Sequence, residues 1–365
     1  MIKKPKIAFF GVGLVGIPLL NQILTSLGKQ YNLTIYSFMR VDAGSVPKGI
    51  KLRSAPNKMH QRLKYLLLGS YFLYDHLRSP YHLLHAQSAF PGGVLARRLG
   101  IICRLHWIVT LIGGEVECLS KIPFGDLRNH ALRSITKRVC IDASVLTVMS
   151  HYQAQSVKNN LSLNRDIVVL PYAPVVRPWK EKKLATPLKL LHIAYHHPVK
   201  NHSMLLRCVD ALRNSMPVHL TIIGSNYGER FRSEIDALGL QELITIQGVV
   251  DHRNLNAFFD DAHILVHTSW YEGLPAVAVE AMASGVVVCG TRVGIIADFA
   301  DSFCVAVNVD DHLALASAIL NVYNHKDRYE NIRLAAYQWV GDNDQTNYLR
   351  QITTYYSKFL EGFGR

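Results

Sequence analysis

Acidic residues are scarce in this chain: 27 Asp and Glu stand against 40 Lys and Arg, a formal net charge of +13. Such an excess suits an anionic partner, whether nucleic acid, a membrane surface or a phosphorylated small molecule. No recognisable nucleic-acid motif accompanies it, so no nucleic acid is expected among the partners. The six cysteines, at 103, 118, 140, 208, 289 and 304, form no CxxC pair. That scatter excludes a disulfide frame or thiolate zinc site and fits reduced thiols in a cytoplasmic protein. Seventeen histidines include no HExxH or related ligand spacing, so no metal is implied. No apolar run is long enough to cross a bilayer. Residues 7–20 follow Lys3, Lys4 and Lys6 and superficially match a signal peptide. Gly11, Gly13, Gly16 and Pro18, with no small-x-small site after them, argue for a first strand and glycine loop instead. Internal repeats and low-complexity tracts are absent. What remains is 365 residues, 49% hydrophobic, enough for two domains with their own cores.

The most informative stretch is His267 to Gly285, HTSWYEGLPAVAVEAMASG. A buried-type strand, 262–267, runs into a loop over Thr268–Gly273. Pro275 stands where a helix would begin and Gly285 where it would end. The helix expected over Ala276–Ser284 is apolar except for Glu280, and a carboxylate there is costly unless hydrogen-bonded. Glu272 sits in the loop before the helix and Glu280 about a turn and a half inside it. They would form two acceptors flanking a helix N-terminus whose free N–H groups favour an anion. A nucleotide-sugar has that layout of sugar hydroxyls, diphosphate and ribose diol. The bland alternative is a capped or paired Glu280 in a core and a solvated Glu272. A second strand, 286–290, follows, so the polar groups fall at the carboxyl end of a parallel strand, where open sheets bind ligands.

Glu272, seven residues, then Glu280 within EGLPAVAVEAMASG resembles the signature of retaining glycosyltransferases of family 4, which have the GT-B fold. The resemblance implies two doubly wound Rossmann-like α/β domains facing a central cleft. It implies that Glu272 meets the donor sugar, that the Gly273-Leu274-Pro275 backbone lies near the donor phosphates, and that Glu280 takes the ribose diol. A glycine loop after the first strand, with Gly13 and Gly16, would face the donor phosphate; glycines that merely allow close helix–strand packing are the alternative. The family keeps an Arg and a Lys after the first strand of its second domain, both on the diphosphate. Lys200 matches the Lys, whereas Tyr195, His196 or His197 stands near the Arg place, and His197 is taken as its substitute. A histidine does not reproduce a guanidinium fork. Gly224, at a strand end, and Val249, beside the base, complete the expected donor site. His106–Ile112 reads as a strand leading to Gly113-Gly114-Glu115; Glu115 replaces the family's Asp and would orient an acceptor hydroxyl.

The expected domains are 1–176 on the acceptor side and 177–344 on the donor side, with a polar, proline-punctuated linker near 174–187. Residues 345–365 would form a helix crossing back to the first domain. Glu272, Lys200 and Glu115 are the expected catalytic residues, with no cofactor beyond a UDP- or GDP-linked sugar. The implied reaction is retaining sugar transfer to a hydroxyl of a saccharide or lipid-linked oligosaccharide, in bacterial-type surface polysaccharide synthesis. Residues 48–74 have no acid, and pair six basic residues with a Tyr- and Leu-rich run. They read either as a dock for an anionic membrane, the inner face of the plasma membrane, or as a loop and a core helix. Three rival functions stay open. A nucleotide-sugar 2-epimerase shares the fold, a nicotinamide oxidoreductase rests on the glycine loop alone, and an inactive GT-B partner subunit is motivated by the missing Arg.

Overall fold

In a computed structural model of the chain, residues 4–11, 18–300 and 302–361 are described. They separate into two compact units, one of residues 1–171 with 345–365, the other of 172–344. The boundary precedes the expected 176 because Ala173 is already buried in the second unit's core.

The first unit runs β1 (Lys6–Gly11), α1 (Pro18–Gln30), β2 (Asn32–Ser37), β3 (Lys51–Ser54), α2 (Gln61–Arg78), β4 (Leu83–Gln87), α3 (Val94–Cys103), β5 (Trp107–Thr110), α4 (His130–Asp142), β6 (Val145–Val148), α5 (His151–Leu161) and β7 (Val168–Val169). The second runs β8 (Leu188–Ile193), α6 (His202–Arg213), β9 (Val218–Ile223), α7 (Glu229–Ala237), β10 (Ile244–Gly248), α8 (Leu255–Asp261), β11 (Ile264–His267), α9 (Ala276–Ala283), β12 (Val287–Thr291), α10 (Gly294–Asp298), β13 (Val305–Val307), α11 (His312–Asn324) and α12 (Lys326–Asp342). Helix α13 (Gln345–Leu360) then returns to the first unit.

Every strand pair in both sheets is parallel. The seven-stranded sheet has order β3-β2-β1-β4-β5-β6-β7 and the six-stranded one β10-β9-β8-β11-β12-β13. Parallel sheets are covered by helices on both faces, so their strands read as continuous apolar runs; β1, KIAFFG, is buried at all six positions. Alternation assigns the two faces in the second unit. Leu190, Ile264, Val266, Val287 and Cys289 share a core with α6, α7 and α11. Leu191, Leu265 and Val288 face α8, α9, α10 and α12. Strand order reverses between β1 and β4, and again between β8 and β11. Such a reversal opens a crevice at the strands' carboxyl ends.

The segment 48–74 corrects part of its sequence reading. Lys51 and Arg53 lie on an edge strand, β3, and both pair with the buried Asp75, at 2.6 and 3.0 Å. Burial pushes the Asp75 carboxyl up, but bonds from Arg53, Lys51 and Tyr36 outweigh it and hold it well below the carboxylate range. Lys64 is buried, donating to the carbonyls of Phe38 (2.9 Å) and Asn57 (3.2 Å). Half of the basic set therefore serves the fold, while Lys48, Lys58 and Arg62 stay exposed. Helix α2 buries Leu68 and Phe72 and leaves Leu63, Leu66, Leu73, Tyr74 and Leu77 exposed. Among the described residues no helix is long and apolar enough to cross a membrane.

Candidate functional site

The stretch 267–285 folds locally as its residues dictate. β11 ends at His267, the loop runs through Glu272, and Pro275 precedes α9 as its N-cap. Gly285 adopts φ +63°, and the next amide, of Val286, bonds back to Ala281 O at 2.9 Å, closing the helix end. Gly294, at φ +53°, sets the start of α10 so close that an added Cβ would meet Pro275 Cδ at 3.0 Å and Gly273 O at 3.1 Å. The Gly273-Leu274-Pro275 turn is thus braced from behind.

Across the switch point, the loop after β8 carries Lys200. Its Nζ donates to Glu272 Oε1 at 2.6 Å, and both side chains are about 15% exposed, at 16% and 15%. Ser269 Oγ donates to the same oxygen at 2.8 Å. His267 Nε2 lies 3.3 Å from it, off the direction of a hydrogen bond. Burial pushes the Glu272 carboxyl up, and the Lys200 ammonium together with His267 outweighs this, holding it at about 2. Backbone bonds clamp the two loops: Trp270 N donates to Val199 O at 2.7 Å, and Thr268 Oγ1 to Lys200 O at 2.8 Å. The result is a fixed ion pair whose ammonium keeps two further N–H donors.

Around it, the loop's aromatic residues take other duties. His197 Nδ1 accepts from Val199 N at 3.2 Å, capping the short turn that ends at Lys200. His196 stacks among His202, Tyr227 and Phe231, and burial pushes its imidazole pKa down. Tyr195 is 48% exposed, with its ring centroid 5.7 Å from Lys200 Nζ. No guanidinium occupies this loop. Beneath it, His192 Nδ1 meets Val266 O at 2.9 Å, His202 Nε2 meets Tyr227 OH at 3.0 Å, and Tyr227 OH donates to Ala194 O at 2.7 Å. Burial holds His192 at about 3 and His202 at about 2, so both rings are neutral at ordinary pH.

Glu280 faces another element. Its Oε1 pairs with His252 Nε2 at 2.8 Å. Gly224 follows β9 at φ +151°, with Ala194 O 1.7 Å from where a Cβ would stand, so only glycine allows the β8 and β9 ends to come this close. Val249 is 77% exposed beyond β10. The structure therefore brings together Lys200 and Glu272, with Gly273, Leu274 and Pro275 beside them. It places Gly224, Val249 and His197 on the same unit's strand-end loops and Glu280 on α9. Glu115 belongs to the first unit. It is buried, and its two oxygens accept from Ile112 N (2.9 Å) and Gly113 N (3.0 Å), so it caps its own loop. Burial pushes its carboxyl up against those two bonds. Gly13 and Gly16 lie outside the described residues. Sequence reasoning missed Ser269, His267 and His252. The first two stand inside the motif stretch, while His252 becomes a partner only through the packing of β10's loop on α9. No group of three His, Cys, Asp or Glu among the described residues is placed to hold a metal ion.

Comparison with known proteins finds what this unit is similar to. Residues 177–339 match the family Glycosyl transferases group 1. The match covers most of the second unit. The Lys200–Glu272 pair lies inside it. The chain is 27% identical over 236 residues to a D-inositol 3-phosphate glycosyltransferase of Arthrobacter sp. (strain FB24), covering 59% of this chain and 55% of that protein. It is 28% identical over 130 residues to a GDP-Man:Man(3)GlcNAc(2)-PP-Dol alpha-1,2-mannosyltransferase of Mus musculus, covering 32% and 26%. The matches thus span about half or less of these relatives' length. Among solved structures, sucrose-phosphate synthase from Thermosynechococcus elongatus superposes with a TM-score of 0.82 at 16% identity, over 98% of this chain and 99% of that one. Anabaena HepE in complex with UDP and glucose gives 0.75 at 16%, over 97% and 100%. The fold is two parallel-sheet, Rossmann-like α/β domains, as in GT-B glycosyltransferases.

Proposed function

We propose that this protein is a retaining glycosyltransferase of family 4 that moves a sugar from a nucleotide-sugar, UDP- or GDP-linked, to a hydroxyl of a saccharide or lipid-linked oligosaccharide. The observation that carries this reading is the Lys200–Glu272 ion pair at the switch point of a group 1 domain. The free donors of Lys200 and the N-terminus of α9 offer positive charge to a departing diphosphate, and the ionised Glu272 offers an acceptor to sugar hydroxyls. Glu280, on the next turns of α9, is the ribose acceptor. Similarity to a UDP- and glucose-bound neighbour and to sugar transferases of both phospho-inositol and lipid-linked acceptors supports the donor and acceptor classes. No cofactor or metal is part of this reading. Bacterial-type surface polysaccharide synthesis is its setting, with the exposed bases and apolar residues of α2 resting on an anionic membrane.

A thermal-shift panel of UDP, GDP, ADP and their sugars, with NAD and NADP as controls, tests it. One nucleotide family should raise the melting temperature, and Glu280→Ala should remove the shift. Glu272→Ala should keep the shift and lower turnover, on the order of a hundredfold. Equal donor affinity and rate in both variants would sink the assignment. The loop 195–201, with no arginine, favours one second reading, an inactive partner subunit of the same fold. Binding without turnover of any donor would select it.

A further inference from the structure

Glu280 is the sole polar side chain on α9, and it is only 17% exposed. Its partner comes from elsewhere in the same unit. His252 opens a short turn, His252–Asn254, just beyond β10, and its Nε2 holds Glu280 Oε1 at 2.8 Å. The turn is closed by bonds of its own. Asp251 Oδ1 accepts from Arg253 N at 2.9 Å, and its carboxylate meets the Arg253 guanidinium at 3.0 and 3.1 Å. Upstream, β10 ends at Gly248 with φ +77°, which turns the chain out to the exposed Val249. One loop therefore presents an uncovered apolar side chain and, three residues later, an imidazole fastened to the carboxylate of α9.

We propose that His252 is a positioning residue that turns Glu280 into a reader of the ribose diol. This rests on the reading above, in which Glu280 meets the nucleoside half of the donor. A glutamate's terminal torsion is broad, so an untethered carboxylate presents its oxygens in many directions. The imidazole bond occupies one oxygen, fixes the carboxylate plane, and leaves Oε2 with both lone-pair sites for hydroxyl donors. A vicinal diol can supply two O–H groups to such a fixed acceptor, and a 2′-deoxyribose supplies one. A site built to hydrogen-bond a hydroxyl rejects the analogue lacking it, because a buried acceptor is left unpaired. His252 therefore sets the preference for ribonucleotides, while Lys200, in a separate loop, handles the diphosphate.

The experiment titrates the full chain by calorimetry with UDP and 2′-deoxy-UDP, GDP and 2′-deoxy-GDP, and inorganic pyrophosphate. Wild type, His252→Ala and His252→Gln are compared. Wild type should favour the ribonucleotide by about tenfold or more. His252→Ala should lose most of that preference through weaker ribonucleotide binding, and His252→Gln, whose amide N–H donates, should restore it. Pyrophosphate affinity should be the same in all three, and with a turned-over donor KM should rise while kcat holds. Full preference in His252→Ala, or a lowered melting temperature with preference intact, overturns the proposal and makes the pair merely structural. Equal affinity of wild type for ribo- and deoxynucleotides overturns it while leaving the donor reading standing. Binding of pyrophosphate but of no nucleotide overturns both.

Discussion

On Lys200 and Glu272, one ion pair, stability and the proposed chemistry both depend. An isolated carboxylate at this depth would be neutral; the ammonium beside it keeps it ionised. The sign of the pH effect follows. The Glu272 carboxyl is held at about 2, below its ordinary 4.5, so its contribution to stability is complete above pH 4.5 and lost as pH falls toward 2. Lys200→Met leaves the carboxylate buried without its cation, at a cost of about 1–3 kcal/mol at neutral pH. Urea unfolding should show that cost at pH 7 and a shrinking gap to wild type below pH 4, where protonated Glu272 no longer misses its partner. A gap that stays constant with pH would mean that the lysine acts through packing alone. Turnover should fall along with stability, because in the proposed reaction the same ammonium serves the diphosphate.

At the scale of elements, the site depends on how closely two strand ends approach. Gly224 at the end of β9 leaves no room for a side chain, since a Cβ would fall 1.7 Å from Ala194 O. Ala194 leads directly into the loop that ends at Lys200, and its carbonyl is also held by Tyr227. Gly224→Ala should therefore push that loop away. We expect a loss of about 3 kcal/mol in stability from the positive φ and the clash together. UDP or GDP affinity, measured by calorimetry, should drop in the same variant, and unchanged affinity would show that the loop moves independently of β9. Both α9 and its boundaries were legible beforehand, because Pro275, Gly285 and the apolar run between them are local signals. β3 was not. Lys51-Leu52-Arg53-Ser54 alternates charge with apolar side chain as a generic basic loop also can. Only its place at the sheet edge, with Asp75 beneath it, makes it a strand.

At the scale of the whole molecule, the charge of +13 is partly absorbed within the fold and partly presented on its surface. Lys58 and Arg62 stay exposed near the start of α2, where Leu63 and Leu66 are uncovered, and Leu77 is uncovered at its far end. If this face rests on an anionic bilayer, cosedimentation with phosphatidylglycerol vesicles should fall at least several-fold on raising salt from about 0.05 to 0.5 M. Lys58→Glu with Arg62→Glu should have the same effect, and equal cosedimentation with neutral vesicles would remove the membrane from the reading. The sequence by itself determined the class of the fold and the heart of the candidate site. Buried parallel strands need continuous apolar runs, helix ends need particular residues, and the Glu272–Glu280 spacing lies within one loop and helix. Only the tertiary structure decided which groups meet. Lys200 reaches Glu272, and His252 reaches Glu280, because strand order reverses at β8 and brings loops distant in sequence to one sheet end. Glu115 turns back on its own backbone because a buried carboxylate bonds the nearest free N–H groups. Hydrogen bonds and ion pairs act over a few ångströms in space, whereas spacing along the chain reports only on neighbours within a turn or a strand.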